Sequence, residues 1–572
     1  MTETDTAPPT KRCVKCGKTK PRNADHFSKR PDAVDGLRAD CADCENARRR
    51  ARTAQRAAML VAAAQGRPLP PASRPRPSPP PSPVPAPVPR SAIGDDEDTE
   101  EIDASAVARP PTILPTIEPT RAERYVITYA QNATPAHLGF LASLKTYCEA
   151  RDARLVVIPG RYRNPTSVWT QGQEHDEWWA AELAPYLFAG RMQIGRLVVY
   201  GDISIQPTAV RPVSSFEVFA GQNSAVFGHT KIEYRTIPSN TRYYPRILTS
   251  TGACTVPNYV AAKAGKKGEA HHTLGACVVE RDPRLFHIRQ IYADEDGVFT
   301  DLDRIYTPDG VRVAPRPEAL MTADIHEIKM DPVVDMATFR GPESICGVLH
   351  PKRIIYHDLL DFDTRNHHTR DDFQNRYERA SGRANDFVRY ELDRAIDYID
   401  RTPEDAEPII VRSNHDAAFD RWLKEADWKA DPVNARVFID TWSAMLDDFD
   451  QTGVWPDAFE LYYRRRGKGR AKFLRDDDSF VIGGVEYGQH GHIGINGARG
   501  SLQSLSKLGT KISFGHVHSP GIWDGAMAGG VGGLDQKYNR RGFSSWLSTH
   551  IVHYDSGART LVTVVDGRWR AD

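Results

Sequence analysis

Five short segments in the C-terminal half of the chain share one pattern, in which an apolar run ends in aspartate, asparagine or histidine. Such runs are typical of buried strands, and the polar residues after them mark strand ends. The segments are Ala323-Asp324-Ile325-His326, His357-Asp358-Leu359-Leu360-Asp361, Ser413-Asn414-His415-Asp416, Gly488-Gln489-His490-Gly491-His492 and Gly515-His516-Val517-His518. Carboxylate, amide and imidazole groups together suit divalent metals. The pattern therefore predicts a two-metal centre at the strand ends.

Outside these segments, the pattern predicts a mixed α/β chain in four parts. We expect a cysteine-containing module at 1–56, a linker rich in proline and acidic residues at 57–121, an α/β accessory domain at 122–315, and a domain at 316–572 that carries the five segments. The accessory domain should open with a βαβ unit, with strands at 125–129 and 155–159 and a helix at 135–150. Its role cannot be read from the sequence.

A long amphipathic helix is predicted between residues 371 and 400. Apolar residues recur there at roughly helical spacing, and we expect them to pack into the core. They are Phe373, Tyr377, Phe387, Tyr390, Leu392, Ala395 and Ile396.

Composition narrows the class of protein. Lys and Arg total 75 and Asp and Glu total 75, which argues against a uniformly basic nucleic-acid coat. No run of eighteen apolar residues and no apolar signal core occur in the sequence, so we expect a cytoplasmic protein that does not enter membranes. The sequence leaves open whether the chain forms a homo-oligomer.

Four of the eight cysteines fall near the N-terminus, in two Cys-x-x-Cys pairs. The pairs can close a tetrahedral site for one structural Zn²⁺, and Phe27 and Leu37 would supply a small apolar patch beside it. The predicted ligands are Cys13, Cys16, Cys41 and Cys44. So short a segment buries little apolar surface, so metal binding should supply most of its folding energy.

A basic segment follows the second cysteine pair and includes Arg48, Arg49 and Arg50. The first 60 residues carry fourteen Lys and Arg against eight Asp and Glu. Phosphate contact would use this excess, although a solvated helix face is the alternative. The module resembles the zinc ribbon of some phage HNH-type endonucleases, through Cys13-Val-Lys-Cys16-Gly-Lys, Asp35-Gly36-Leu37 and Cys41-Ala-Asp-Cys44.

The order of the five C-terminal segments resembles that of the calcineurin-like metallophosphoesterases, and the interval after the second segment is similar to that of double-strand-break-repair nucleases. A more specific likeness is to the early host-DNA-degradation nucleases of large tailed phages. It rests on Ala323–Ile328, on Asp363 with Arg365-Asn366-His367-His368, on Tyr487–His492 with Asn496–Gly500, and on Gly515–Gly521. The resemblance implies a four-layer α/β/β/α sandwich and a phage-encoded DNase that acts in the bacterial host.

The resemblance also implies a role for each residue of the five segments. One metal would be bound by Asp324, His326 and His518, and the other by Asn414, His490 and His516, while Asp358 bridges both. His415 would act as general acid or charge stabiliser, and Asp416 would orient it. Mixed oxygen and nitrogen ligation favours Mn²⁺, with Mg²⁺, Fe and Zn²⁺ as alternatives.

The sequence departs from the family pattern at three glycines. Ala323, His357 and Ser413 stand where glycine usually precedes a ligand, and His357 could add a polar group to the site. His492 is an alternative ligand to His490, which we prefer because it directly precedes Gly491.

DNA contacts are predicted at two further groups of basic residues. Arg365, His367 and His368 follow the bridging aspartate. Arg464, Arg465 and Arg466 lie in a basic loop beside Tyr462 and Tyr463, which could stack on bases, and Arg499 lies in a glycine-rich loop.

Three readings of the C-terminal half stay open. DNA is the predicted partner and substrate. The alternatives are a phosphatase or cyclic-nucleotide phosphodiesterase of the same superfamily, and an inactive DNA-binding scaffold on the same fold.

Overall fold

The computed structural model describes residues 10–23, 25–27, 40–44, 46–47, 124–161, 178–240, 244–282, 284–534 and 542–571. The predicted linker at 57–121, Leu37, and the predicted DNA contacts Arg48, Arg49 and Arg50 lie outside these ranges.

The described chain forms a mixed α/β structure. Its strands are β1 (Thr10–Arg12), β2 (Thr19–Pro21), β3 (Arg124–Ala130), β4 (Ala153–Pro159), β5 (Arg191–Ile194), β6 (Leu197–Tyr200), β7 (Ser224–Phe227), β8 (Tyr234–Ile237), β9 (Ser239–Asn240), β10 (Arg246–Ser250), β11 (Gly275–Arg281), β12 (Phe286–Tyr292), β13 (Phe299–Asp301), β14 (Arg304–Thr307), β15 (Gly310–Val313), β16 (Ala319–Met321), β17 (Arg353–Tyr356), β18 (Glu407–Val411), β19 (Lys472–Leu474), β20 (Val481–Ile482), β21 (Val485–Glu486), β22 (Lys511–Phe514), β23 (Gly521–Trp523), β24 (Ala526–Ala528), β25 (Phe543–Ser544), β26 (Ser548–His553) and β27 (Arg559–Val564). Its α-helices are α1 (Leu138–Arg151), α2 (Glu217–Ala220), α3 (Lys263–His271), α4 (Pro332–Phe339), α5 (Ile345–Leu349), α6 (Phe373–Ala380), α7 (Val388–Asp400), α8 (Asp416–Glu425), α9 (Ala435–Thr452), α10 (Ala458–Arg466) and α11 (Leu502–Leu505).

Two large sheets dominate the structure. A six-stranded sheet has the order β19-β18-β17-β16-β26-β27, and its first four strands are parallel. A ten-stranded sheet has the order β20-β21-β22-β24-β23-β8-β10-β7-β6-β5. One core lies between the sheets and contains Met321, Ile355 and Ile409 from the first and Val485 and Ile522 from the second. Helices α7 to α10 cover the other face of the six-stranded sheet.

The expected domain boundary at residue 315 does not separate two cores. Strands β5 to β8 and β10 precede it, yet they share a sheet with β20 to β24. Tyr125 and Ile127 of β3 lie in the same core as Met321 and Ile355. Long-range strand pairing therefore unites the expected accessory and C-terminal domains.

The predicted βαβ unit is confirmed. Strands β3 and β4 pair in parallel, and α1 connects them. The two strands extend into a four-stranded sheet of order β12-β11-β3-β4, which packs on α1 through a second core.

The predicted long helix at 371–400 is wrong. The structure has two helices, α6 and α7, because the chain turns at Gly382, whose φ is +70°. Leu392, Ala395 and Ile396 are buried as predicted, but Phe373, Tyr377, Phe387 and Tyr390 are 79%, 55%, 58% and 49% exposed. No helix in the described ranges is both long enough and apolar enough to cross a bilayer.

Candidate metal centre

The polar segments meet because their strands end side by side. Strands β16, β17 and β18 are parallel neighbours, and their last residues precede Ala323, His357 and Ser413. Strands β21 and β22 are parallel neighbours in the ten-stranded sheet and precede His490 and His516. The carboxyl ends of adjacent parallel strands lie at one edge of a sheet, so the side chains that follow them are brought together.

Asp358 lies at the centre of the cluster. His490 Nε2 lies 3.2 Å from Asp358 Oδ2, His326 Nε2 lies 3.6 Å from it and His518 Nε2 lies 3.9 Å from it. On the other side, His518 Nε2 lies 3.2 Å from Asp324 Oδ2. The structure therefore places these five predicted ligands in one buried group around Asp358.

His516 and Asn414 complete the predicted ligand set. The His516 ring lies 5.3 Å from the His490 ring, and its backbone N–H donates to Asp324 Oδ2 at 2.6 Å. Asn414 follows β18 directly before His415, and its Oδ1 is buried without a hydrogen-bond partner among the described residues.

Orphaned oxygen atoms indicate that the cluster is built for cations. Asp324 Oδ1, Asp358 Oδ1 and Asn414 Oδ1 are buried, and none has a hydrogen-bond partner in the part of the chain that the structure describes. Leaving such oxygens uncompensated costs several kcal/mol, whereas coordination to a divalent cation satisfies them. The buried His and Asp groups can therefore hold metal, and their donor set does not identify which metal.

Backbone strain is concentrated at the same residues. His326, Asp358, His516 and His518 adopt φ values of +45°, +45°, +68° and +56°. Residues other than glycine rarely adopt this conformation, and strain of this kind collects at binding sites. Ala323, His357 and Ser413 do not have positive φ, so they replace the family's glycines without backbone strain.

The charges of the cluster follow from its burial and its carboxylates. Burial alone would favour neutral His518, but its hydrogen bond to Asp324 raises the pKa of His518 to about 9. Burial and the neighbouring His490 lower the pKa of His516 to about 4. Burial would raise the pKa of Asp358, but the neighbouring His490 outweighs it, so the pKa of that carboxyl lies well below its usual range. Because a cation would replace protons here, metal binding should depend on pH.

The predicted partner of His415 is wrong. His415 Nδ1 lies 2.8 Å from the backbone oxygen of Asp361 and 3.5 Å from its Oδ1. The Asp416 carboxylate instead accepts from Ser413 N at 3.0 Å and Leu360 N at 3.4 Å, so it anchors the start of α8. Adjacent residues at a helix start point in different directions, so Asp361, not Asp416, orients His415.

Asp361 also orients His326, whose Nδ1 lies 2.9 Å from Asp361 Oδ1. Lys329 Nζ lies 2.5 Å from the other Asp361 oxygen. The sequence motif contained Asp361 but assigned it no role, and nothing in the local sequence pointed to Lys329.

Three more side chains define the edge of the cluster. His357 Nδ1 lies 3.3 Å from His490 Nδ1, so the added histidine does reach the site. His492 Nε2 lies 3.6 Å from Asp476 Oδ1, whereas His490 Nε2 lies 3.2 Å from Asp358 Oδ2. The Trp546 ring packs edge-on 4.4 Å from the His518 ring, a contact that no sequence signal indicated.

One predicted DNA contact, Arg365, is occupied by protein carboxylates. Arg365 is largely buried and forms ion pairs with Asp431 at 2.7 Å and Asp386 at 2.9 Å, so its guanidinium is not available to phosphate. His367 and His368 follow it with their rings 3.8 Å apart, and His368 is exposed.

The predicted basic loop at 462–470 is wrong, because its first part is the end of α10. Tyr462 and Tyr463 are buried, and their hydroxyls donate to Asp393 and Asp400. They therefore cannot stack on bases. The three arginines are exposed at the helix end. These arginines are Arg464, Arg465 and Arg466. Arg464 pairs with Asp448, and Arg466 stacks on Tyr462.

Arg499 lies where the sequence predicts a contact with substrate. Its side chain is exposed, and its Nε donates to His516 Nε2 at 3.2 Å. Among the predicted DNA-binding residues that the structure describes, Arg499 is the cation that contacts the His and Asp cluster directly.

The four N-terminal cysteines also converge. Cys13 Sγ lies 4.0 Å from Cys44 Sγ, and Cys16 Sγ lies 3.9 Å from Cys41 Sγ. Tetrahedral Zn–S bonds of about 2.3 Å place sulfurs about 3.8 Å apart, so the geometry fits such a site. Backbone hydrogen bonds from Cys16 and Cys41 lower the pKa of Cys13 to about 6, which favours the thiolate that a metal needs. Phe27 is fully buried beside them, as predicted.

The fold and the cluster define a mixed α/β protein with buried His and Asp groups that can hold metal, joined to a Cys₄ module. The chain is 34% identical to protein A1 of Escherichia phage T5 over 478 residues, which cover 79% of this chain and 84% of that protein. It belongs to the protein A1 family. No protein-family model matches the chain.

Proposed function

We propose that this protein is a metal-dependent nuclease that hydrolyses DNA phosphodiester bonds at a two-metal centre. One observation carries the proposal: unpartnered carboxylate and amide oxygens lie with buried histidines at the ends of neighbouring parallel strands. The order of the segments supports membership of the calcineurin-like metallophosphoesterases. Two packed sheets with helices over one outer face would account for three layers of their four-layer fold.

The ligands divide between two sites that share Asp358. Asp324, His326 and His518 would hold one ion, and Asn414, His490 and His516 the other. We propose Mn²⁺, with Mg²⁺, Fe and Zn²⁺ as alternatives. When bound, the two ions lower the pKa of a coordinated water and offset charge on the phosphoryl oxygens.

His415 is the group suited to the leaving oxygen. The backbone carbonyl of Asp361 can only accept a hydrogen bond, so His415 Nδ1 must carry the proton. Nε2 is then the ring nitrogen of His415 that exchanges a proton with the substrate. Lys329 and His326 keep Asp361 in place from the opposite side. In this arrangement the doubly protonated ring of His415 donates the proton on Nε2 to the leaving oxygen and becomes neutral, and Asp361 keeps the ring in position.

DNA is the proposed substrate, and three features support it. Arg499 adds an exposed cation beside His516, where a phosphate next to the scissile one would pass. The Cys₄ module, with one structural Zn²⁺ and its basic segment, would raise the local concentration of DNA. Kinship with a phage protein is consistent with degradation of host DNA in the bacterial cytoplasm.

The test compares cleavage of linear DNA in Mn²⁺ by the full chain and by three variants. Asp358→Asn should lose metal and activity together, because it removes the shared ligand. His415→Ala should keep its metal but lower kcat by about 10²- to 10⁴-fold. The matched control is His492→Ala, which removes a histidine held by Asp476 and should cleave as the natural chain does.

Two results would contradict the proposal. Intact DNA in every divalent metal tried would exclude nuclease activity. Small phosphate esters hydrolysed far faster than DNA would identify a phosphatase instead.

A further inference from the structure

A cavity of about 590 Å³ is lined in part by Leu547, the residue that follows Trp546. It opens between β10 of the ten-stranded sheet and β12 of the four-stranded sheet, beside the paired strands β9 and β25. Pockets of this volume accommodate small organic ligands, and they are mostly apolar with a few placed polar groups. The proposed metal ligands do not line this cavity.

Apolar and aromatic side chains form part of the cavity wall. Phe286, Ile247 and Leu547 line it, and Phe543 of β25 stands at its edge with 77% of its surface exposed. Flat aromatic side chains bind planar heterocycles by stacking. The walls therefore suit a nucleobase or a similar ring.

One polar side chain inside the cavity is poorly satisfied. His287 is 3% exposed, and neither of its ring nitrogens makes a hydrogen bond of normal geometry in the described ranges, although the backbone of Thr563 interacts with the ring. Burial lowers the pKa of His287 to about 4, so the ring is neutral at pH 7 and offers one donor and one acceptor. A buried donor and acceptor of this kind cost free energy unless each has a hydrogen-bond partner. The edge of a nucleobase carries matching donors and acceptors.

The rim of the cavity is cationic. Arg246 is held by the backbone oxygens of Gly221 and Pro238, and Arg284 is exposed. Neither forms an ion pair with a carboxylate of the described chain. Guanidinium groups at this position can bind a phosphate bidentately.

Two successive residues connect the cavity wall with the proposed metal centre. Leu547 lines the cavity, while Trp546 packs against His518. Ser545 next to them lies 2.6 Å from Ser519, which follows His518 in sequence. A ligand against Leu547 would thus touch the segment that supports a proposed metal ligand.

We propose that this cavity binds one nucleotide without cleaving it. The base lies between Phe286 and Phe543 with its edge at His287, and the phosphate meets Arg284 and Arg246. The ligand is either a free nucleoside monophosphate or a single base of a DNA strand. This binding site is separate from the proposed nuclease centre.

The experiment measures equilibrium binding to the full-length, metal-loaded His415→Ala chain, which should keep its metal and cleave DNA about 10²- to 10⁴-fold more slowly. The probes are dAMP, dTMP, deoxyribose 5-phosphate, inorganic phosphate and a short single-stranded oligonucleotide. We expect the nucleotides to bind at least tenfold more tightly than deoxyribose phosphate. Arg284→Ala and His287→Leu should each weaken nucleotide binding at least tenfold, and Arg312→Ala, at an exposed arginine of β15, should not.

The two sources of nucleotide are separated by the same measurements. Tighter binding of the monophosphates identifies a free nucleotide, and tighter binding of the oligonucleotide, lost in the same variants, identifies a DNA strand. The proposal is overturned if neither the monophosphates nor the oligonucleotide bind. It is also overturned if binding is unchanged in both the Arg284→Ala and His287→Leu variants. Because no cleavage is measured, failure of the nuclease proposal leaves this result intact.

Discussion

Gly515 shows how closely the backbone of one loop approaches a proposed metal ligand. A Cβ atom at this position would lie 2.1 Å from Asp324 Oδ1, inside any allowed contact distance. The glycine directly precedes His516, whose N–H donates to the other oxygen of the same carboxylate. Absence of a side chain at residue 515 therefore determines where Asp324 can lie.

We predict that Gly515→Ala displaces Asp324 and reduces metal affinity at least tenfold, because ligand positions tolerate little movement. Metal content after dialysis and DNA cleavage in Mn²⁺ measure the effect. Gly529→Ala is the control, since its added Cβ would meet its nearest neighbour at an ordinary 3.5 Å. Equal metal content in the two variants would refute this role of Gly515.

Strands β11, β12 and β13 are joined by a buried ion network. Arg289 of β12 donates to Glu280 of β11 at 3.0 and 3.1 Å and to Asp301 of β13 at 2.9 Å. All three side chains are almost fully buried. Burial would raise the pKa of Glu280, but Arg289 outweighs it and lowers that pKa to about 2.

We predict that Glu280→Gln lowers the free energy of unfolding at pH 7 by about 3 kcal/mol. The folded pKa lies below the ordinary value, so the charge stabilises the fold above pH 4.5, and this contribution is lost as pH falls toward 2. Urea unfolding at pH 7, 5 and 3.5 should therefore show the difference between the natural chain and Glu280→Gln shrinking. Glu149→Gln, at an exposed residue of α1, is the control. A difference that does not change with pH would exclude the Glu280 charge as its cause.

At the scale of the whole molecule, each unit carries its own group of potential metal ligands. The Cys₄ module holds four sulfurs within 4.8 Å of one another, and the large unit holds the His and Asp cluster. Four cysteines are the complete ligand set of a structural metal site, whereas the His and Asp cluster has unpartnered oxygens. The two units should therefore contribute differently, the first to DNA affinity and the second to cleavage.

We predict that Cys41→Ser removes one zinc per chain and raises the KM for long DNA about tenfold, because the module no longer folds around its metal. The rate at saturating DNA should not change. Cys148→Ser, at a half-buried cysteine of α1, is the control. A fall in kcat for Cys41→Ser alone would mean that the module takes part in the chemistry.

Sequence alone was sufficient for features that depend on neighbouring residues. The proposed ligand residues were predictable because each of the five segments begins one or two residues after the end of a strand, and the cysteine pairs because each occupies a single turn. The break at Gly382 was missed because the apolar spacing continues across it, so four aromatic residues were expected in the core. The orienting role was assigned to Asp416 because that residue adjoins His415 in sequence.

Tertiary structure decided everything that depends on residues far apart. Which strands share the ten-stranded sheet is set by pairing between segments hundreds of residues apart, so the boundary expected at 315 was not visible in local patterns. The partners of Arg365, Tyr462 and Tyr463, and the cavity at His287, arise from the same long-range packing. Short-range chemistry determined which side chains can bind metal, and only the packing of the two sheets determined which of them meet around Asp358.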